Sequence, residues 1–216
     1  MKLVRRVLLG LALCLALPLA AAAQPASVTG DDRVMGRADA PVTLIAYVST
    51  TCGHCADWYV HVFDDLQTQF IQPGYVRVVF REIMTAPAEA AFAATAIARC
   101  APGDEYFDVL EQLFHDHDTR LRTGDIGGWL RAGGRAGGLD EAVITACLQD
   151  EAHLQQVQAR WENARADGIN SSPTFFINGR RFAGHSFSDF DTELRRLIPD
   201  YQDPDDAVWG SLRRGN

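Results

Sequence analysis

The sequence has no apolar run long enough to cross a bilayer as a stable helix: the longest, Val7 to Leu19, falls well short of the roughly 20 residues that a span needs. Nor has it an excess of positive charge. Lys and Arg number 20 against 28 Asp and Glu, a formal net charge of −8, which argues against a nucleic-acid partner. Nothing repeats along the chain and no low-complexity linker divides it. Cysteine is scarce, five in 216 residues, and neither a second Cys-x-x-Cys nor a His-x-x-x-His is present, so the usual ligand spacings of a tetrahedral zinc site are incomplete.

What is there begins with an address. Lys2, Arg5 and Arg6 precede the apolar run, and the small residues Ala20 to Ala23 follow it, the three-part layout of a secretory signal peptide. We expect cleavage near Ala22 or Ala23, export, and a soluble mature chain from about Gln24. Cys14 leaves with the signal; bulky Leu13 and the apolar residues beyond it disfavour a lipoprotein cysteine. Three positive charges and no acids depart, taking the net charge from −8 to −11. Four cysteines remain, Cys52, Cys55, Cys100 and Cys147, an even number suited to an oxidising compartment. The roughly 190 remaining residues suffice for one domain, or for one domain carrying an insertion.

The apolar pattern orders the elements. From Val42 to Val48 apolar side chains occupy both alternating faces, as in an interior strand covered on each side. Tyr59, Val62, Leu66 and Phe70 then recur at helical spacing, and Tyr75 to Ile83 returns as a strand. From Thr85 to about Gly168 the chain reads as four or five short helices. Their breaks are expected at Pro102-Gly103, Thr123-Gly124 and Gly133-Gly134, with the Gly-rich stretch Gly127 to Gly138 as a soft connection. Thr174 to Ile177, Asn178-Gly179 and Arg180 to Ala183 spell a hairpin with a type I′ turn. A helix from Phe187 to Ile198 follows, capped by Ser186 or Ser188.

The chemistry concentrates in S-T-T-C-G-H-C-A-D-W-Y, Ser49 to Tyr59, at the junction of strand and helix. Unpaired N–H groups of a first helical turn, with the helix dipole, favour a negative charge there. Cys52 should therefore ionise more readily than a free thiol, whose pKa is about 8.5, and act as nucleophile. Cys55, one turn deeper on the same face, is placed to resolve a mixed disulfide held on Cys52. His54, when protonated, adds a favourable interaction with the thiolate, and Gly53 leaves the turn unobstructed. Half of a zinc site and a purely structural disulfide are the alternatives. The first lacks ligands, and the second would close a short, strained loop for little entropy. His115 and His117, two apart in F-H-D-H-D, read as a solvated helix end rather than a metal pair.

A second stretch, G-I-N-S-S-P-T-F-F-I-N-G, Gly168 to Gly179, puts a proline at the mouth of a strand, where an ordered turn can hold the cis isomer. A cysteine motif after the first strand, a helical insertion and a Ser-Pro-Thr-Phe-Phe-x-Asn-Gly segment together resemble the DsbA-like thiol-disulfide oxidoreductases of the thioredoxin superfamily. The likeness runs from D-A-P-V-T-L-I-A-Y-V-S to the final helix. It implies an α/β thioredoxin fold, a central mixed β-sheet flanked by helices, with an inserted all-helical domain. Residues 1–23 are then the signal peptide, 24–84 the first part of that fold, 85–167 the insertion, 168–199 the second part with the cis-proline loop, and 200–216 a solvated tail onto which Trp209 docks or not. The resemblance further implies a cis Ser172-Pro173 bond beside the cysteines, with Ser172 offering its backbone to an extended client segment. Relatives often carry cysteine where Cys100 and Cys147 stand. If these two pair, the loop of about 48 residues contributes roughly 4 kcal/mol by a model-dependent estimate.

Two departures stand out. Many relatives have an acidic residue six positions before the first cysteine, where it takes the proton of the buried thiol; this chain has Ala46. Its Gly-His dipeptide is unlike the Pro-His of many family oxidases and resembles protein disulfide isomerase, which leaves the redox poise open. The expected function is a periplasmic oxidase that inserts disulfides into exported, partly folded proteins and is reoxidised by a quinone-linked membrane partner, with no metal and no cofactor. A reductase or isomerase kept reduced by a partner is the second reading, and a non-catalytic chaperone or metal-binding module the third. About eighteen residues separate the cleavage site from Val42, too few for the separate dimerisation domain of the isomerases, so a monomer is expected.

Overall fold

The computed structural model describes residues 27–199 and 201. The signal peptide, Cys14 and the tail with Trp209 lie outside the described residues. Five strands form one mixed sheet in the order β1-β3-β2-β4-β5. These are β1 Arg33–Met35, β2 Val42–Val48, β3 Val76–Glu82, β4 Thr174–Ile177 and β5 Arg180–Phe182. The central pair β2 and β3 is parallel and the other pairings are antiparallel. As its two-faced apolar pattern requires, β2 is interior. Leu44, Ala46 and Val48 face one core with Val78, Phe80 and Phe175. Ile45 and Tyr47 face a smaller core with Val79, Phe176, Ala164 and Ile169. The short strand β1, antiparallel to β3, was not foreseen: three half-buried residues are too few to register an alternation.

Helix α1, Gly53–Trp58, continues as one rod through π-helical turns at Tyr59–Phe63 and Gln67–Ile71 and the short α2, Asp64–Leu66, between them. Its apolar face carries Trp58, Phe63, Leu66 and Phe70, all buried against the larger core. Beyond β3 come α3 Ala88–Cys100, α4 Glu105–His115, a π-helical turn His117–Leu121, α5 Ile126–Ala136, α6 Glu141–Cys147 and α7 Glu151–Ala166. The fold is thus the expected thioredoxin sheet and helices with a helical insertion. The last turns of α7 return to the sheet, where Ala164 is buried and Trp161 packs on the smaller core. The hairpin forms as read, with Asn178 at φ 48° and Gly179 at φ 77°, the two positive values of a type I′ turn. Ser186, not Ser188, caps α8, Phe187–Leu197, in a reciprocal capping box with Asp189.

The expected break at Gly133-Gly134 is absent, because both glycines lie inside α5 and that helix ends at Gly137. They serve close packing instead of flexibility. A Cβ on Gly133 would lie 2.7 Å from the Leu113 side chain, and one on Gly134 would lie 2.5 Å from Ile144 Cδ1 and 3.2 Å from Ile97 Cγ2. In an exposed helix Gly→Ala gains about 1 kcal/mol of propensity. Here overpacking costs about 1–3 kcal/mol, so Gly134→Ala should lower stability by roughly 1 kcal/mol. The expected readout is a lower urea midpoint at unchanged slope.

Candidate active site

The junction between β2 and α1 places the two cysteines. Ser49, Thr50 and Thr51 are buried behind the strand end, Cys52 takes the extended N-cap conformation (φ −93°, ψ 115°), and the helix begins at Gly53. Cys52 is half-buried, whereas Cys55, one turn on, is wholly buried; both are free thiols. The proline loop closes over them. Ser172-Pro173 is cis; Cys52 Sγ lies 3.3 Å from the Ser172 carbonyl oxygen, and Ser172 Oγ lies 2.8 Å from Cys55 Sγ. A second cis bond, Ala86-Pro87, lies beside Thr85 and was not anticipated.

This geometry separates the two thiols electrostatically. Cys52 falls from an ordinary 9.0 to about 5. The Cys55 thiol donating to its sulfur is the leading cause, joined by the Cys55 N–H, by Ser172 and by the His54 N–H, which together overcome the opposing effect of burial. Amides of the first turn contribute as the sequence suggested, but the neighbouring thiol contributes more. Cys55 moves the other way: burial pushes its pKa far up, and the hydrogen bond to Cys52 and the negative charge there push it further. One sulfur is held as an accessible anion and its neighbour as a protonated, buried thiol.

Ala46 sits fully buried on β2 between Phe80 and Phe175, so no carboxylate reaches Cys55 from that position. Besides the Cys52 sulfur, the polar groups bonded to Cys55 Sγ among the described residues are the Ser49 N–H, at 3.5 Å, and the Ser172 hydroxyl. Behind them, Ser49, Thr51 and Thr85 form a hydroxyl cluster, with Thr51 Oγ1 and Thr85 Oγ1 2.9 Å apart and Thr85 Oγ1 donating to Ser49 Oγ at 2.9 Å. Three Ser/Thr residues scattered over 37 positions leave no periodic trace in the sequence.

His117 corrects an expectation. It is buried, not solvated, with Nδ1 2.9 Å from Asp118 Oδ1. Its ring packs on the cysteine turn, since a Cβ on Gly53 would meet His117 Cε1 at 3.7 Å. The signal was available: Leu110, Leu113, Phe114, His117 and Leu121 recur at three and four residues and are all buried, which places His117 on the inward stripe. His115 is exposed, as expected. Cys100 and Cys147, at the ends of α3 and α6, are joined by a disulfide with S–S 2.03 Å, away from the free pair.

A groove of about 720 Å³ opens beside the cysteines, lined by His54, Trp58 and Val62 from the first helix, Ser172 and Pro173 from the loop, and Phe182 from β5. A cavity of about 370 Å³ on the other side of the sheet, under α7, is lined mostly by charged and polar residues, Asp32, Arg81, Glu82, Arg99 and Arg160 among them. The arginines of its wall that come from β3 and α3 are already matched, Arg81 to Asp32 at 2.8 Å and Arg99 to Glu82 at 2.6 Å.

Comparison with known proteins adds kinship to this geometry. A family model described as thioredoxin matches residues 28–198. Disulfide bond formation protein D of Bacillus subtilis is 26% identical over 172 residues, covering 76% of this chain and 74% of that one. A Rickettsia bellii protein provisionally named a protein-disulfide oxidoreductase is 25% identical over 174 residues, 78% of this chain and 65% of its own length. This chain therefore spans a little under two-thirds of that relative. Among solved structures, alpha-DsbA1 of Wolbachia pipientis superposes with a TM-score of 0.72 at 21% identity, over 79% of this chain and 92% of that one.

Proposed function

The chain belongs to the thioredoxin family, and we propose that it is an exported thiol-disulfide oxidoreductase whose main direction is the oxidation of client cysteines. The observation that carries this reading is the opposed pair of sulfurs, Cys52 lowered to about 5 and Cys55 buried and raised, under a cis-proline loop. In the oxidised enzyme Cys52 and Cys55 share a disulfide. A client thiolate attacks Cys52 Sγ, the bond to Cys55 breaks, and Cys55 takes up a proton, as its burial favours. A second client thiolate then attacks the client sulfur of the mixed disulfide and expels Cys52 as a thiolate. The client gains a disulfide and two electrons rest on the enzyme pair. Cys52 is the better leaving group because its thiolate is the more stable one.

In this reading Ser172 holds an extended client segment through its backbone, and Ser172 Oγ, 2.8 Å from Cys55 Sγ, relays the Cys55 proton to and from solvent where a relative would use a carboxylate. Gly53 and His54 set the exposed surface of the turn. Clients are exported proteins with free cysteines, and an oxidant of the quinone-linked membrane class removes the electrons; export itself rests on the signal-peptide reading. The related proteins named for disulfide formation support the assignment by kinship. The reverse direction, a reductase or isomerase, draws support from the Gly-His dipeptide alone.

Melting the two redox forms across pH tests the direction. Because the Cys52 pKa is depressed in the folded state, its contribution to the reduced form is full above the unfolded value near 9.0 and is lost as pH falls through about 5. After discounting for screening of a half-exposed thiolate, the gain by pH 8 is on the order of 2 kcal/mol. The reduced form should therefore melt above the oxidised one at pH 8, and the difference should shrink by roughly 5 °C by pH 4. Closure of the short Cys52-Cys55 loop favours the oxidised form but does not titrate. An oxidised form that melts higher at every pH would turn the assignment to a reductase.

A further inference from the structure

We propose that the groove beside the cysteines selects client segments in which an Asp or Glu lies next to the reacting cysteine, and that Arg181 is the residue that selects them. This rests on the disulfide-exchange reading above and adds a substrate class to it. The groove lining combines apolar side chains, Trp58, Val62, Pro173 and Phe182, with the basic residues Arg181, His54, His61 and His185. One carboxylate, Asp57, is among the lining residues; Asp189, near His185, is occupied by the Ser186 cap. The imidazoles are neutral or cationic and never repel an anion.

Arg181 supplies the fixed charge. It is exposed on the edge strand β5, and among the described residues no carboxylate pairs with it. Its Nη2 lies 3.5 Å from Ser171 Oγ, which puts the guanidinium one residue from Ser172, the proposed holder of the client backbone. An extended client advances about 3.3 Å per residue, so a side chain one or two positions from its cysteine lies within reach of that charge. The chain as a whole carries −8, whereas the groove lining sets Arg181 against the single carboxylate Asp57, so the end of the groove beside Ser171 is locally basic in an acidic protein. Charge complementarity of this kind governs partner choice and on-rate.

Reduced peptides with a single cysteine flanked by Asp, by Ser or by Lys, offered to the oxidised enzyme, test the proposal. Each rate is divided by that peptide's rate with an uncharged disulfide, 2-hydroxyethyl disulfide, which removes the effect of the flanks on the peptide thiol itself without adding a charge of its own. The expected Asp-to-Lys ratio is about five- to tenfold at low salt, declining as screening increases. It should approach one in Arg181→Ala and invert in Arg181→Glu. A ratio of one in the unsubstituted enzyme, or a ratio that Arg181→Glu leaves unchanged, overturns the proposal. Failure of all three peptides, the Ser-flanked one included, would instead overturn disulfide exchange and this inference with it.

Discussion

Replacing Cys52 by serine is expected to reduce disulfide exchange with a peptide to the uncatalysed background, the largest effect of any single substitution in this chain. A serine hydroxyl stays protonated at neutral pH and cannot form the mixed disulfide through which electrons pass. Cys55→Ser should differ in kind: Cys52 still captures a partner, but no resolving thiol is left, so mixed disulfides accumulate and can be seen as adducts by mass spectrometry. Alkylation of the reduced protein exposes the cause. At pH 6 a thiol with pKa about 5 is about nine-tenths ionised, against about one part in a thousand for one at 9.0. A Brønsted coefficient of about 0.4–0.5 over four units returns roughly sixtyfold of that advantage through weaker nucleophilicity. Cys52 should therefore react about ten- to twentyfold faster than an ordinary thiol at pH 6, with a rate that is flat above pH 6 and falls below 5. The ordinary thiol should overtake it near pH 7. A rate for Cys52 that keeps rising through pH 8 would contradict the electrostatics of the site.

How much of this was legible in the sequence depends on how local each feature is. Val42 to Val48, the Asn178-Gly179 turn and the Cys52-Cys55 junction were read correctly because alternation, positive φ and motif spacing are properties of neighbours in the chain. Gly133 and Gly134 were misread for a definite reason: the lack of a Cβ serves a chain break and a close helix contact equally well. Only Leu113 and Ile144, 20 residues upstream of Gly133 and 10 downstream of Gly134, distinguish the two. His117 was misjudged by pairing it with His115 instead of reading it with Leu113 and Leu121. Ser172 was found through the family resemblance, but its hydroxyl at 2.8 Å from Cys55 needed the fold, which closes 117 residues of sequence into one contact.

Glu82 was singled out by nothing in the sequence, yet its removal should have the second large effect. It ends β3 with its side chain only 3% exposed. Oε2 accepts from Arg99 Nη2 at 2.6 Å and Nε at 3.1 Å, and Oε1 accepts from the Tyr106 hydroxyl at 2.6 Å. Burial alone would lower the Arg99 pKa, and the Glu82 charge turns it upward. Arg99 ends α3 and Tyr106 begins α4, so one carboxylate ties the inserted helices to the central sheet. Glu82→Ala leaves a buried guanidinium and a buried hydroxyl without their acceptor, at a cost of about 3–5 kcal/mol, a large fraction of the roughly 5–15 kcal/mol that holds a domain together. A fall in melting temperature of about 10 °C is expected. The double substitution Glu82→Met with Arg99→Met should recover part of it, because an apolar pair of similar volume needs no partner. A loss below 1 kcal/mol for Glu82→Ala would show that the network is not what fastens the insertion. Helix α4, which Tyr106 begins, runs into the His117 turn that packs on Gly53, so the alkylation profile of Cys52 in Glu82→Ala tests whether the inserted helices help to shape the cysteine turn: a Cys52 titration moved up from about 5 is the expected result.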